Sequence, residues 1–210
     1  MSEGNATRTL GAVIYKNFEL LDLFGPLEMF GNLLPGIKIV TVAEQLGPVR
    51  SAQGPKMIAD YTFSECPGLD LILLPGGIGT IEQLKNAAIL QFLKDRSPSA
   101  EVTMSVCSGS AILAKAGLLD GRRATSNKQF FRLATSQSDK VNWIAEARWV
   151  EDGPFATSSG VSAGIDMALA VIARLFGRER AQWIANLTEY VWQDDPNRDP
   201  FYRFLNQGKL

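Results

Sequence analysis

Residues 101–117, EVTMSVCSGSAILAKAG, place a cysteine between a predicted strand and a predicted helix. The apolar and β-branched run at 102–106 indicates a buried strand, although so short a run is also compatible with a helix. Residues 111–116 have helical propensity and spacing, and Gly117 suits a helix C-cap. Cys107 is therefore expected at a strand-to-helix turn, where an α/β sheet holds a nucleophile outward above its edge.

The residues after Cys107 are small and predict a close approach of backbone to the sulfur atom. Ser108, Gly109 and Ser110 open the predicted helix, whose first turn has unpaired N–H groups and a positive dipole end. This setting is expected to lower the pKa of the thiol toward the reactive thiolate. A buried structural cysteine is the alternative, but the strand–cysteine–glycine–helix order favours a reactive site.

Composition limits the kind of protein. The 210 residues carry a net charge of −1 and a pI of about 5.6, which fits one α/β domain without a basic surface for nucleic acid. No apolar run has the length of a membrane span, and residues 1–8 are expected to be a loose tail. Cys66 and Cys107 are too few for a disulfide framework, so the expected compartment is the reducing cytoplasm.

The sequence contains no histidine. This excludes a Cys–His dyad, a Ser–His–Asp triad and any histidine-ligated zinc site. If Cys107 performs chemistry, its proton partner is a carboxylate, a tyrosine, a lysine or water. Aspartate and glutamate are the strongest candidates, because burial raises a carboxyl pKa toward neutrality.

The order of the predicted elements indicates one domain over residues 1–210, an α/β doubly wound and mostly parallel sheet with helices on both faces. Gly25-Pro26 is expected to mark the true start of the first helix, since proline disrupts a helix interior. Residues 193–210 are expected to form a loop or cap. The remaining predictions are strands at 9–15, 37–43 and 69–74, hairpins within 44–66 and around residues 152–153, and helices at 18–34, 81–93, 128–135, 162–176 and 179–191.

Asp22 follows the first predicted strand, and ligands of open α/β sheets bind outside the carboxyl ends of strands. In the segment LLDLFGP it lies among apolar side chains, where a carboxyl group that faces a thiolate resists ionisation. A protonated Asp22 would hydrogen-bond the sulfur atom and transfer a proton near neutral pH, and the pair would titrate as a unit. A helix N-cap is the alternative role for this residue.

The Pro75–Gly79 turn is the third candidate segment. Gly76 and Gly77 are expected to turn backbone N–H groups outward and, with the N–H of Ser108, to form a hole for developing negative charge. A plain tight turn is the alternative. The Gly-Gly-Ile-Gly spacing does not match a dinucleotide fingerprint.

Four segments resemble the ThiJ/PfpI superfamily, over roughly residues 10–190: LDLFGP, DLILLPGG, SVCSGSAILAKAGLLDGRRAT and SGVSAGIDMAL. The resemblance implies a flavodoxin-like fold, a homodimer, a cysteine on a strained elbow at Cys107 and an acidic partner at Asp22. Many deglycase-like relatives carry glutamate at the acidic position. The aspartate of LDLFGP therefore favours the isonitrile (isocyanide) hydratase branch.

Three positions depart from the pattern of that family. Ser108 stands where the hydratases usually have threonine and the PfpI-type peptidases have histidine. Asn127 stands where many relatives have histidine, and Val161 replaces an isoleucine near the nucleophile. These departures argue against a peptidase and against a proton relay through Asn127.

The resemblance implies that the Cys107 thiolate attacks the terminal carbon of an isonitrile while Asp22 supplies a proton. Water then converts the thioimidate to an N-substituted formamide, with no metal or organic cofactor. The pocket is expected to include Phe24, Ile78, Asn127 and Val161. The alternatives are a glyoxalase or deglycase that acts on 2-oxoaldehydes, and a non-enzymatic sensor of cysteine oxidation.

Overall fold

A seven-stranded sheet forms the centre of the computed structural model, which describes residues 7–208. The strands of the chain are β1 (Arg8–Val13), β2 (Ile37–Ala43), β3 (Gly47–Arg50), β4 (Lys56–Ala59), β5 (Tyr61–Thr62), β6 (Leu71–Leu74), β7 (Val102–Ser105), β8 (Arg123–Ala124), β9 (Asn142–Trp143), β10 (Trp149–Asp152) and β11 (Phe155–Ser158). The central sheet has the order β10-β11-β7-β6-β1-β2-β5. Its pairs are parallel except for the β10–β11 hairpin, so the predicted doubly wound, mostly parallel sheet is confirmed.

Helices connect these strands. They are α1 (Leu20–Gly31), α2 (Thr80–Gln83), α3 (Ala87–Arg96), α4 (Gly109–Lys115), α5 (Phe131–Thr135), α6 (Ala163–Phe176) and α7 (Arg178–Leu187), with short 3₁₀ helices at Ser97–Ser99 and Pro200–Phe204. Every residue of β6 and β7 is buried, as expected for central parallel strands covered on both faces. Within residues 7–208, no helix has both the length and the hydropathy that a membrane crossing requires.

The predicted start of the first helix at Gly25-Pro26 is wrong. Helix α1 begins at Leu20 and keeps Pro26 in its interior, although an interior proline costs a hydrogen bond. Tertiary contacts hold this turn: the N–H of Leu20 donates to Oε1 of Gln53 at 2.9 Å, and Gly25 packs against Ile165 of α6. Packing therefore outweighs the local preference of proline.

The two chain ends also differ from expectation. The predicted loose tail at 1–8 falls mainly on residues 1–6, which lie outside the described part of the chain, whereas Arg8 already belongs to β1. Helices α5 and α7 are shorter than predicted. The described part of 193–210 contains a 3₁₀ helix in an otherwise irregular path. That residues 1–210 form a single domain stays a prediction.

Candidate active site

Adjacent parallel strands bring the three predicted segments to one edge of the sheet. Strands β7, β6 and β1 are neighbours, so their carboxyl ends share an edge. Cys107 follows β7, Gly76 follows β6, and Asp22 lies in the first turn of the helix after β1. The order of the strands therefore gathers these residues, which are far apart in the sequence.

Cys107 lies on a strained elbow. Its φ of 57° is in the left-handed region, which a non-glycine residue adopts at a cost of about 1–3 kcal/mol. The backbone N–H of Cys107 donates to the carbonyl of Ser159 at 3.1 Å. Gly109 allows the helix to start here, since a Cβ at that position would lie 2.6 Å from the carbonyl oxygen of Leu74.

Three N–H donors surround the Cys107 sulfur. They are the backbone N–H groups of Val161 and Ser108 and the side-chain Nδ2 of Asn127, which lies 3.2 Å from Sγ. The Asn127 amide is oriented because its Oδ1 accepts a hydrogen bond from the N–H of Phe130 at 3.1 Å. The Asn127 amide therefore donates a hydrogen bond to the sulfur but, unlike an imidazole, does not accept its proton.

Asp22 is completely buried beside this sulfur. Its Oδ2 accepts from the N–H of Gly76 at 2.8 Å, while no nitrogen or oxygen donor reaches Oδ1. Burial raises the pKa of this carboxyl to about 8; the charge of Glu19 also raises it, whereas the hydrogen bonds with Gly76 and Cys107 lower it. The alternative role as an N-cap is excluded, because Glu19 occupies that position.

The expected lowering of the thiol pKa is wrong for the free protein. Burial of Cys107 and then the negative charge of Asp22 raise the pKa of the thiol, and the three N–H donors only partly offset them. Two groups that both resist ionisation titrate as a pair. After the first proton leaves this pair, the proton that remains is therefore shared between an oxygen of Asp22 and the sulfur of Cys107.

The glycine turn has a different role from the predicted hole for negative charge. The N–H of Gly76 donates to Asp22, and the N–H of Gly77 donates to Oγ of Ser108 at 3.1 Å. The N–H of Ser108 is directed at the sulfur. Both glycine donors are thus engaged within the protein, where they orient the acid and the residue after the nucleophile.

Sequence analysis missed two hydroxyl groups that support this turn. The Tyr15 hydroxyl donates to the carbonyl of Pro75 at 2.7 Å, and Oγ1 of Thr80 lies 2.9 Å from Oγ of Ser108. Burial raises the pKa of Tyr15, so it stays protonated. Neither residue shows a motif of its own, because the contacts form only when β6 pairs with β1 on one side and with β7 on the other.

The predicted pocket residues separate into two places. Asn127, whose amide contacts the sulfur, and Val161 line a cavity of about 200 Å³ that Cys107 itself does not line. Phe24 and Ile78 do not line it; their side chains lie at the surface, 44% and 53% exposed. No group of three or more His, Cys, Asp or Glu that could hold a metal ion occurs within the described residues.

Comparison with known proteins identifies the family of this chain. It is 34% identical to the isonitrile hydratase of Pseudomonas putida over 87% of this chain and 78% of that protein. It is 31% identical to protein DJ-1 homolog A of Arabidopsis thaliana, over 81% of this chain but only 43% of that protein. The crystal structure of a ThiJ/PfpI family protein from Pseudomonas syringae superposes with a TM-score of 0.80 at 37% identity, over 91% of this chain and 77% of that one. A sequence model of the DJ-1/PfpI family matches residues 11–174, and the chain belongs to this family.

Proposed function

We propose that the protein is a cysteine-dependent hydratase that adds water to an isonitrile and releases an N-substituted formamide. The observation on which this depends is the pairing of Cys107 with a buried Asp22 in a chain that has no histidine. The similarity to an isonitrile hydratase over most of both chains supports the choice of substrate.

The covalent step uses the form of the pair that holds one proton. The Cys107 sulfur bonds to the terminal carbon of R–N≡C, and the Asp22 carboxyl gives its proton to that carbon. The product is a thioimidate, R–N=CH–S, bound to the enzyme. Asp22 becomes a carboxylate, while the N–H groups of Ser108 and Val161 and the amide of Asn127 keep the sulfur in place.

Hydrolysis restores the pair. Asp22 takes a proton from water as the water oxygen attacks the thioimidate carbon, and then passes this proton to the nitrogen. Asp22 next takes the proton of the new hydroxyl group while the C–S bond breaks. The formamide leaves, and Cys107 and Asp22 again share one proton. The balance is R–N≡C plus water to R–NH–CHO.

A glyoxalase or deglycase that uses the same two residues is the second candidate, and the similarity to a DJ-1 homolog fits it. Peroxide sensing is less well supported. The sulfur is buried and the pKa of its thiol is raised, whereas oxidation-sensitive cysteines are exposed thiolates.

Formamide production by the wild type, Cys107→Ala and Asp22→Asn tests the proposal. We expect the wild type to convert an aryl isonitrile, Cys107→Ala to lose activity because it lacks the nucleophile, and Asp22→Asn to lose at least about 100-fold in kcat, the lower range for a lost general acid or base. Methylglyoxal consumption is measured in parallel. Activity on methylglyoxal alone would reject the hydratase in favour of the second candidate, and full activity of Asp22→Asn would reject the carboxyl as proton carrier.

We also propose that the protein is a homodimer of the cytoplasm. Leu21 and Phe24 on α1 and Ile78 in the neighbouring turn are exposed apolar side chains close to the Asp22–Gly76 contact, and both cysteines are free. Analytical ultracentrifugation should find a dimer that Phe24→Asp weakens. Leu46→Asp, which changes an exposed leucine on the β2–β3 connection, should leave it intact.

A further inference from the structure

The cavity near Cys107 is lined by residues that contact this cysteine, although Cys107 itself does not line it. Its volume is about 200 Å³, and Asn127, Val161 and Ser159 belong to its lining. The first two donate hydrogen bonds to the sulfur, and the third accepts one from the N–H of Cys107. When the reacting atom of a substrate is bonded to the Cys107 sulfur, the organic group attached to that atom therefore lies close to this cavity.

Two phenyl rings from the C-terminal segment complete the lining. Phe201 and Phe204 lie on the Pro200–Phe204 helix with their ring centroids 6.4 Å apart. Phe201 is 48% exposed, although a large aromatic side chain favours burial. These rings give the cavity an apolar wall in addition to the polar residues that line it.

Buried charges fix the position of this helix. Oδ1 of Asp199 caps it by accepting from the N–H of Phe201 at 3.0 Å and lies 3.7 Å from Nη1 of Arg148. Oδ2 of Asp199 lies 3.7 Å from Nζ of Lys128, and Lys128 is the residue next to Asn127. Asp199, Lys128 and Arg148 are all buried, so the aromatic wall is anchored in the interior.

Backbone hydrogen bonds hold the same segment on its other side. The N–H of Asn206 donates to the carbonyl of Lys128 at 2.8 Å, and the N–H of Gly208 donates to that of Gln129 at 3.0 Å. The segment therefore packs along residues 127–132, which include the residue that orients the Asn127 amide. Hydrogen bonds therefore connect the segment that carries Phe201 and Phe204 to the residues around the Cys107 sulfur.

We propose that this cavity binds the organic substituent of the substrate, and that Phe201 and Phe204 make the enzyme selective for a single six-membered ring. The inference rests on the proposed function, because an isonitrile has one small polar end that must reach Cys107 and one organic group that needs a separate place. A cavity of about 150 Å³ in another protein accommodates benzene. The present volume thus suits a phenyl or cyclohexyl group and leaves a methyl group poorly packed.

Substitution of the two rings tests the selectivity. The kcat/KM for cyclohexyl isonitrile and for methyl isonitrile is measured in the wild type, Phe201→Ala and Phe204→Ala. We expect about a tenfold loss or more for the cyclohexyl substrate, through KM, because loss of either ring removes apolar surface that packs against the substituent. The methyl substrate should change less than about threefold. Tyr202→Ala is the matched control, because Tyr202 is on the same helix but not in the cavity lining.

A second measurement does not depend on turnover. Alkylation of Cys107 by N-phenylmaleimide and by N-methylmaleimide is followed by mass spectrometry, with the modified residue located by peptide mapping. In the wild type and in Tyr202→Ala the phenyl reagent should react faster than the methyl reagent. Phe201→Ala and Phe204→Ala should remove that preference without lowering the rate of the methyl reagent.

The outcomes separate the two proposals. If the wild type makes no formamide but the phenyl preference exists and depends on the rings, the proposed function fails and the subsite stands. Equal losses for both isonitriles, or the same loss in Tyr202→Ala, would overturn the subsite. An unchanged maleimide preference in both phenylalanine variants would overturn it as well.

Discussion

At the scale of single residues, the protonation states of Asp22 and Cys107 depend on each other. Burial opposes the charge of each, and the charge of one also opposes that of the other. Three N–H groups then favour charge on the sulfur, whereas the N–H of Gly76 and the thiol of Cys107 favour charge on the carboxyl. These hydrogen bonds stabilise the form in which Cys107 is a thiolate and Asp22 keeps its proton, but burial still raises the pKa of the thiol above its ordinary value.

The stability of the protein should depend on pH through Asp22. Its pKa is raised from 3.8 to about 8 in the folded state, so its contribution is fully present below the lower value and is lost as the pH rises through the higher one. Across that window the free energy of unfolding of the wild type should fall relative to Asp22→Asn, by up to about 1.4 kcal/mol per pH unit. Urea denaturation measures this, with the exposed Asp95→Asn as control. If the difference in free energy of unfolding between the wild type and Asp22→Asn did not change with pH, the raised pKa of Asp22 would be contradicted.

Asn127 should affect reactivity through its amide donor. Loss of a hydrogen bond to a charged group costs about 1.5–3 kcal/mol, so Asn127→Ala should slow alkylation of Cys107 by about tenfold or more at fixed pH. Ser126→Ala is the comparison, because its hydroxyl donates to the carbonyl of Cys107 at 3.0 Å and not to the sulfur. Equal rates for the two variants would mean that the amide does not stabilise the thiolate.

At the scale of elements, the elbow between β7 and α4 depends on contact with the turn after β6. Gly109 lies against the carbonyl oxygens of Leu74 and Pro75, and Gly76 lies against Ser108 in the same way. Backbone packs on backbone here, so these positions have no space into which a side chain can move. The position of Cys107 is therefore set by two loops at once.

A methyl group at Gly109 should be destabilising. Its Cβ would meet two carbonyl oxygens at 2.6 and 2.8 Å, so we expect Gly109→Ala to lower the free energy of unfolding by about 1–3 kcal/mol, the range for overpacking. Gly31→Ala, also in a helix but with nothing within 4 Å of the added Cβ, should be neutral or stabilise by up to about 1 kcal/mol. Thermal denaturation of both variants compares them, and equal stability would refute the tight contact.

At the scale of the whole molecule, a buried ionic network links the C-terminal segment to the sheet. Arg148 precedes β10 and pairs with Asp166 of α6 at 2.6 Å, and Tyr190 also donates to Asp166 at 3.0 Å. Asp199 joins the same network next to Lys128 and Arg148. Asp166 is buried and holds these partners together, so its role is structural.

Removal of Asp199 should be costly because it leaves buried cations less well paired. We expect Asp199→Ala to lower the free energy of unfolding by about 3 kcal/mol and to disorder the aromatic wall. Asp194→Ala, which breaks the exposed pair with Arg178, should cost less than about 1 kcal/mol. Guanidinium denaturation and amide hydrogen exchange of residues 196–208 measure both effects. A small loss for Asp199→Ala would show that the segment is held without this charge.

The sequence by itself determined the class of fold, the elbow at Cys107 and the pairing of that residue with an acid in the absence of histidine. The predicted strands, helices and elbow are local features, because periodicity and turn glycines act over a few neighbours, whereas the pairing was expected because parallel strands end at one edge of the sheet. Only the tertiary structure decided that α1 continues through Pro26, that Gly76 and Gly77 donate within the protein, and that Phe201 and Phe204 line the cavity. The net direction of the Cys107 pKa also depends on burial, which arises only when distant segments pack together.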